Sequence, residues 1–325
     1  MEENKGGPDP VDALVARLYR DGSSVEPDKF RTWALEQVKA VIPCDGALWG
    51  SGSAAAAKLH TVVTLGLPAE FPRLLEETMG INPIVPHILR NLEKPVDMES
   101  VLSDDEFHRT EVYRRVFGPH QIERLLSTGH RDPRSGVHSL LTLYRRDPAQ
   151  HFTDLEKARQ LRLTFHLFNA FSHCFFLHLL RNTDRVAGTG AAVIDAHGMF
   201  HESQPRFLDM LDDAFPNRGP GAGLPFPLPP AGQTTTVGRL CVKTQGMGDL
   251  FVVFLWPSGP LDRLTSRERE IVMAVSQGLS FKQAARKIGV APSTVANHLY
   301  RVYRKLGVCS RTELAAVVHP AASGT

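Results

Sequence analysis

The chain is poor in cysteine and has no long apolar run. Its four cysteines, Cys44, Cys174, Cys241 and Cys309, lack paired spacing, which argues against a disulfide framework or a Cys-x-x-Cys zinc site and leaves buried thiols as the expectation. The longest uninterrupted apolar run of strand character, Leu250 to Trp256, is far too short to span a bilayer. The first ten residues, MEENKGGPDP, lack a basic start and an apolar centre, so no secretory signal is expected. A cytoplasmic location without a membrane partner follows. No Gly-x-x-x-x-Gly-Lys-Ser/Thr loop, Gly-x-Ser-x-Gly elbow or His-Glu-x-x-His is present, so no enzyme, cofactor or metal is expected. Nor does a set of paired acidic residues, strand-end aspartate and later lysine stand out as in a phosphoacceptor domain.

What is present is globular, with 42% apolar residues among 325. Setting aside about sixty residues at the C-terminal end leaves enough chain for two ordinary domains with cores of their own. The one strongly biased tract, Pro216 to Pro230, is rich in proline and glycine and reads as a loop. Charge is unevenly shared. Residues 262–318 hold ten Lys and Arg against four Asp and Glu, a balance of +6, whereas the whole chain is +2, so the remainder carries about −4. Positive potential of this kind suits a module that touches phosphate.

The stretch beginning at Leu264, LTSREREIVMAVSQGLSFKQAARKIGVAPSTVANHLYRVYRKLGV, carries three Ser/Thr-x-x-Glu/Gln capping boxes: Thr265 with Glu268, Ser280 with Gln283, and Ser310 with Glu313. Gly278 and Gly307 follow apolar-periodic stretches, where positive φ closes a helix without a Cβ clash. From Pro292 to Leu306, Val295, Leu299, Val302 and Leu306 repeat at helical spacing as one buried stripe. The other faces carry Ser293, Thr294, Asn297, His298, Arg301, Arg304 and Lys305, and Lys282 lies on the preceding helix. Arginine and lysine suit phosphates, and asparagine suits an adenine edge. Asn297 could equally cap or bridge water. Only Gly289-Val290-Ala291 separates the two helices, the short turn that lets the second enter a major groove.

This run resembles the LuxR-type helix-turn-helix, through Leu264-Thr265, Arg267-Glu268, Gly278-Leu279-Ser280, Ala285, Gly289-Val290, Thr294-Val295, His298-Leu299 and Lys305-Leu306-Gly307. The resemblance implies that the helix from Pro292 to Leu306 reads double-stranded DNA. It also implies that the helix after Ser310 supplies a dimer contact through exposed Leu314 and Val317. Two departures stand out: the family's hydroxyl N-cap is replaced by Ala291, at a cost of roughly 1 kcal/mol, and a common cation by Ala296, which removes about one phosphate contact. The missing phosphate loop sets aside the large ATP-dependent members, and the tryptophan, tyrosine and aspartate pattern of acyl-homoserine-lactone binders does not map onto Trp33, Trp49 or the tyrosines.

From residue 10 to 182 the periodicities predict an α/β domain. Helices are expected over Val11 to Tyr19 and Phe30 to Val41. Strands are expected at Gly46 to Gly50 and Thr61 to Leu65, with an antiparallel pair, Ile122 to Ser127 and Val137 to Tyr144, around a tight turn. Such a sheet has one face to cover. A closing helix, capped by Thr153 with Glu156, runs to Arg181, roughly 43 Å. Leu161, Phe165, Phe168 and Phe175 follow a heptad-like rhythm on it, which fits either a dimer seam or the cover of its own sheet. Trp49, His60, Phe71 and His138 are candidate ligand-pocket residues, with partly exposed core-edge positions as the plainer reading. His166, His173 and His178 do not share a face as metal ligands would. Ser139-Leu140-Leu141-Thr142-Leu143-Tyr144-Arg145, His151-Phe152-Thr153 and the long helix resemble GAF-like sensor regions; residues 191–256, with Val193-Ile194-Asp195-Ala196-His197-Gly198, resemble a PAS-like fold.

The expectation is an α+β protein, with a GAF-like sensor at 1–182, a PAS-like α/β segment at 187–257, and a four-helix LuxR-type helix-turn-helix at 261–320. It implies a signal-responsive homodimeric transcription regulator that binds a two-fold operator, with RNA polymerase as a further partner and a small-molecule or protein signal. The alternatives are a ligand-independent dimer governed by a protein partner, and an enzyme with a DNA-localising module.

Overall fold

The computed structural model describes residues 9–53, 58–181 and 188–318; the junction expected at 182–187 lies outside them. The chain divides into two compact units, one made of residues 1–228 with 245–254, the other of 229–244 with 255–325. No helix among the described residues is long and apolar enough to cross a membrane.

The larger unit opens with α1 (Pro10–Arg20) and α2 (Pro27–Val41). Each starts on proline, whose missing N–H costs nothing in a first turn, and Asp9 accepts from the Val11 amide as the cap of α1. Next come β1 (Gly46–Ser53), β2 (Lys58–Leu65), α3 (Phe71–Glu77), α4 (Ile84–Arg90), β3 (Pro95–Asp97), α5 (Asp104–Arg109), β4 (Arg124–Arg131), β5 (Val137–Arg145) and α6 (Asp154–Arg181). The strands form an antiparallel sheet in the order β2-β1-β5-β4-β3. The predicted strands and hairpin are all there.

Side chains alternate across this sheet, as a pleated strand requires. Ala47, Trp49, Leu126, Leu141 and Leu143 face one core, shared with α1, α2 and α6; Leu48, Leu125 and Tyr144 face another, with Phe71, Ile84, Ile88, Phe107 and Phe117. The sheet is therefore covered on both faces, where sequence reasoning expected one. The second cover is built from helices of six or seven residues, too short to show a period.

α6 begins where predicted, with the Glu156 carboxylate accepting from the Thr153 amide at 2.9 Å. Arg145, buried and stacked on Phe152, pairs with Glu156 and donates to the carbonyls of Pro43 and His151. That ties the end of β5 to the start of α6. The heptad-like stripe splits in the structure: Leu161 and Phe165 are 45% and 53% exposed, Phe168 is buried 5.2 Å from Trp49, and Phe175 packs on the first core. Near 100° per residue, these four positions straddle the edge of the face centred on Leu163, Leu167 and Cys174. Phe168 is thus a core residue.

β6 (Gly190–Ile194), β7 (Phe200–Ser203), α7 (Pro205–Ala214), β8 (Thr234–Val237), β9 (Leu240–Met247) and β10 (Leu250–Pro257) follow, with a second sheet ordered β7-β6-β10-β9-β8. The expected loop between α7 and β8 contains no helix or strand. Arg218 pins its first part, pairing with Asp212 and donating to the carbonyls of Arg134, Ala222 and Gly223. Cys44, Cys174 and Cys241 are buried as expected, but Cys309 is exposed.

The smaller unit ends in α8 (Ser266–Ser276), α9 (Phe281–Ile288), α10 (Pro292–Leu306) and α11 (Arg311–Val318) around Ile271, Val272, Ala285, Val295, Leu299, Val302 and Leu314.

Candidate functional site

The four C-terminal helices start at the residues that sequence chemistry marks. Thr265 accepts from the Glu268 amide and Ser280 from the Gln283 amide, each with the reciprocal side-chain bond. Ser310 accepts from the Glu313 amide at 3.1 Å, while the Glu313 carboxylate reaches the Cys309 amide at 2.9 Å. Gly289 and Gly307 adopt left-handed conformations, with φ of 76° and 66°, and end α9 and α10. Arginines reinforce two ends: Arg311 donates to the carbonyls of Val275 and Leu279 at the end of α8, and Arg267 to that of Ile288 at the end of α9. α10 begins at Ala291 with no side-chain cap, as its sequence implies.

Val295, Leu299 and Val302 bury one side of α10 and leave Ser293, Asn297, Arg301 and Arg304 exposed on the opposite side. At about 100° per residue, these four fall within a single narrow arc. Tyr300, 66% exposed, extends it; sequence reasoning passed over this residue because an aromatic in a helix reads first as core. Lys282 is exposed on α9, and among the described residues no ion pair engages Lys282, Arg301 or Arg304. An exposed stripe of unpaired cations beside hydroxyl, amide and phenol groups can meet phosphates and base edges together.

Three residues sit differently. Lys305 turns toward α8, its Nζ 2.8 and 2.6 Å from the two carboxylate oxygens of buried Glu268. Burial works against that charge, but the bonds from Lys305 and Thr265 outweigh it and hold the Glu268 carboxyl below its usual range. His298 is half-buried on the same flank, with its Nδ1 enclosed, and Thr294 is half-buried. Leu314, expected to be exposed, is fully buried in the module's core, and Val317 packs against that core from partial exposure. The short α11 must use its largest apolar residue to close its own module.

The candidate ligand residues do not converge. Trp49 lies in the core beneath α6, Phe71 in the core on the opposite face of the sheet, and His60 stacks on His201 with ring centroids 4.2 Å apart. His138 binds the Gly136 carbonyl at 3.1 Å, and burial lowers its pKa. Two neighbouring, partly open cavities in the larger unit share Ser51, Phe171 and Glu202. One is of about 120 Å³ and reaches Trp49 and Ser139; the other, of about 170 Å³, reaches Arg31 and His201. Arg31 is buried, lies 4.2 Å over the Phe171 ring, donates to Ser51 at 3.2 Å and stands 3.6 Å from Glu202. Its Nε and Nη1 and the Trp49 Nε1 are buried without acceptors. Burial pushes the Glu202 carboxyl up to about 7, with Arg31 pulling against it. Sequence reasoning missed Arg31, since an arginine amid helical polar residues gives no sign that it points inward.

Residues 262–318 match the family described as bacterial regulatory proteins, luxR family. A protein of Mycobacterium bovis named as an HTH-type transcriptional regulator is 51% identical over 51 residues, 16% of this chain and 6% of its own length. The transcriptional regulatory protein UhpA of Escherichia coli is 41% identical over 58 residues, 18% of this chain and 30% of its own. The chain thus spans less than a third of the length of these curated relatives. Among solved structures, Escherichia coli SdiA has 12% identity and a TM-score of 0.38 over 95% of this chain and 94% of its own. The GAF domain of a phosphoenolpyruvate-protein phosphotransferase from Coxiella burnetii has 15% identity and a TM-score of 0.39 over 52% of this chain and 97% of its own. Likenesses as loose as these two carry nothing about ligands.

Proposed function

From the premise that residues 262–318 are a LuxR-family helix-turn-helix domain, we propose that this chain is a cytoplasmic transcription regulator that binds a two-fold operator as a homodimer and answers a signal received in its larger unit. The observation that carries the reading is the exposed arc of Ser293, Asn297, Arg301 and Arg304 on α10, opposite a fully buried apolar stripe. Arg301, Arg304 and Lys282 bind phosphates, Asn297 and Ser293 meet base edges, and Thr294 supports the helix entry. Leu161 and Phe165 on α6 provide the dimer contact, with Val317 adding to it on DNA. The signal is a small molecule with acceptor groups for the unpaired donors of Arg31 and Trp49, and it acts by favouring one dimer arrangement over others. RNA polymerase contact follows from bound position.

Selection of genomic DNA fragments by the purified full chain, with its mass in solution measured alongside, tests this. A two-fold motif recovered by a dimer is expected. No enrichment, or a one-sided motif bound by a monomer, would refute it.

A further inference from the structure

His60 on β2, Asp195 in the turn after β6 and His201 on β7 come together within the larger unit, each offering one ligand atom within 4.8 Å of the others. His201 is only 7% exposed, and the Nε2 atoms of both histidines are buried without a hydrogen-bond partner. Two enclosed ring nitrogens lacking partners are unusual, because a buried polar atom loses water and gains nothing in exchange. The carboxylate is arranged to complement them. Asp195 Oδ1 accepts from the amides of His197 at 2.8 Å and Met199 at 3.0 Å, which fixes the group. Its other oxygen, Oδ2, lies 3.6 Å from His201 Nε2. That is too long for a hydrogen bond and close to the roughly 3.3 Å edge between two ligands of a tetrahedral ion with bonds of about 2.0–2.1 Å.

We propose that His60, His201 and Asp195 bind a first-row divalent cation, with zinc the chemical match for two neutral imidazoles and one carboxylate. The ion would satisfy both orphan nitrogens at once. Three protein ligands leave a further coordination position for water or a small ligand. His201 also lines the cavity that reaches Arg31. Such an ion would clasp β2 to the turn and strand that follow β6.

The test uses full-length protein purified without a polyhistidine tag, stripped with a chelator and titrated with cobalt(II) and then zinc. Binding of one equivalent is expected, with visible ligand-field bands that zinc displaces. His201→Ala and His60→Ala should each weaken binding at least about 100-fold, since even outer-shell changes cost tenfold or more. Asp195→Asn retains an acceptor for the two amides but removes the charged ligand, and should also weaken binding in a protein that folds. His197→Ala, at an exposed neighbour, should bind as the parent does. Absence of a stoichiometric site in the parent, or equal affinity in Asp195→Asn and the parent, would overturn the proposal.

Discussion

Replacing Lys305 by methionine separates two roles that one cation could play. In the structure its ammonium spans both oxygens of Glu268, whose side chain is 5% exposed while that of Lys305 is 41% exposed. Methionine retains much of the apolar stem and removes the charge. A hydrogen bond to a charged group contributes about 1.5–3 kcal/mol. Here the Thr265 amide still donates to Glu268 at 2.8 Å, and the half-exposed cation is screened by water, so the loss is about 1–2 kcal/mol. Amide hydrogen exchange in α8 and α10 of the full chain reads that opening free energy directly and should quicken about 5- to 30-fold. The logarithmic salt dependence of DNA binding should keep its slope, because Lys305 is spent inside the module. Arg301→Ala is the counterpart: unchanged exchange and a slope shallower by about 0.9, one phosphate contact. If Lys305→Met instead flattens the slope by that amount and leaves exchange untouched, the assignment of Lys305 to Glu268 is wrong.

Ala291→Ser should supply the missing cap of α10, where the backbone already has N-cap angles of −72° and 147°; a gain of about 1 kcal/mol would show as roughly fivefold slower exchange in the helix, and no slowing would mean the first turn is held by other means. Glu268→Gln should destabilise α8 and α10 in a pH-dependent way. The folded carboxyl sits below its ordinary 4.5, so its contribution is fully present above that value and disappears as pH falls through the folded one; a difference between variant and parent that persists in strong acid contradicts this. Leu161→Glu with Phe165→Glu should convert a dimer to a monomer in sedimentation without altering helix content, since both side chains are exposed; an unchanged dimer removes α6 from the contact.

The helix ends of the C-terminal module were readable because a capping box is written within four residues. Thr265, Ser280 and the glycines at 278 and 307 need no tertiary information, and both glycines take positive φ. The same holds for the start of α6 at Thr153 and the hairpin of β4 with β5. Legibility fails where the partner is remote. Lys305 lies on the polar side of its helix, and only the packing of α10 on α8 shows that a buried carboxylate is waiting 37 residues back. The exposure expected of Leu314 comes from the resemblance alone, and an eight-residue helix has too few turns for its own pattern to correct it. Arg31 and the pairing of His60 with His201 depend on how two hairpins meet, which no local spacing encodes.

The single guanidinium of Arg218 holds carbonyls on both its own loop and the β4–β5 turn. It acts as a rivet. Chain before the rivet, between Asp212 and Gly223, has a fixed length, since any added residue would have to bulge against those bonds. Chain after it is held at Phe226, whose ring packs on that of Phe215 with centroids 5.6 Å apart, and lengthening the span from Pro227 to Pro230 costs little because closure entropy rises only with the logarithm of loop length. A short peptide tag inserted after Phe226 should therefore leave both sheets intact, whereas the same tag after Gly219 should not, which makes the two halves of this one loop opposite in their tolerance to engineering.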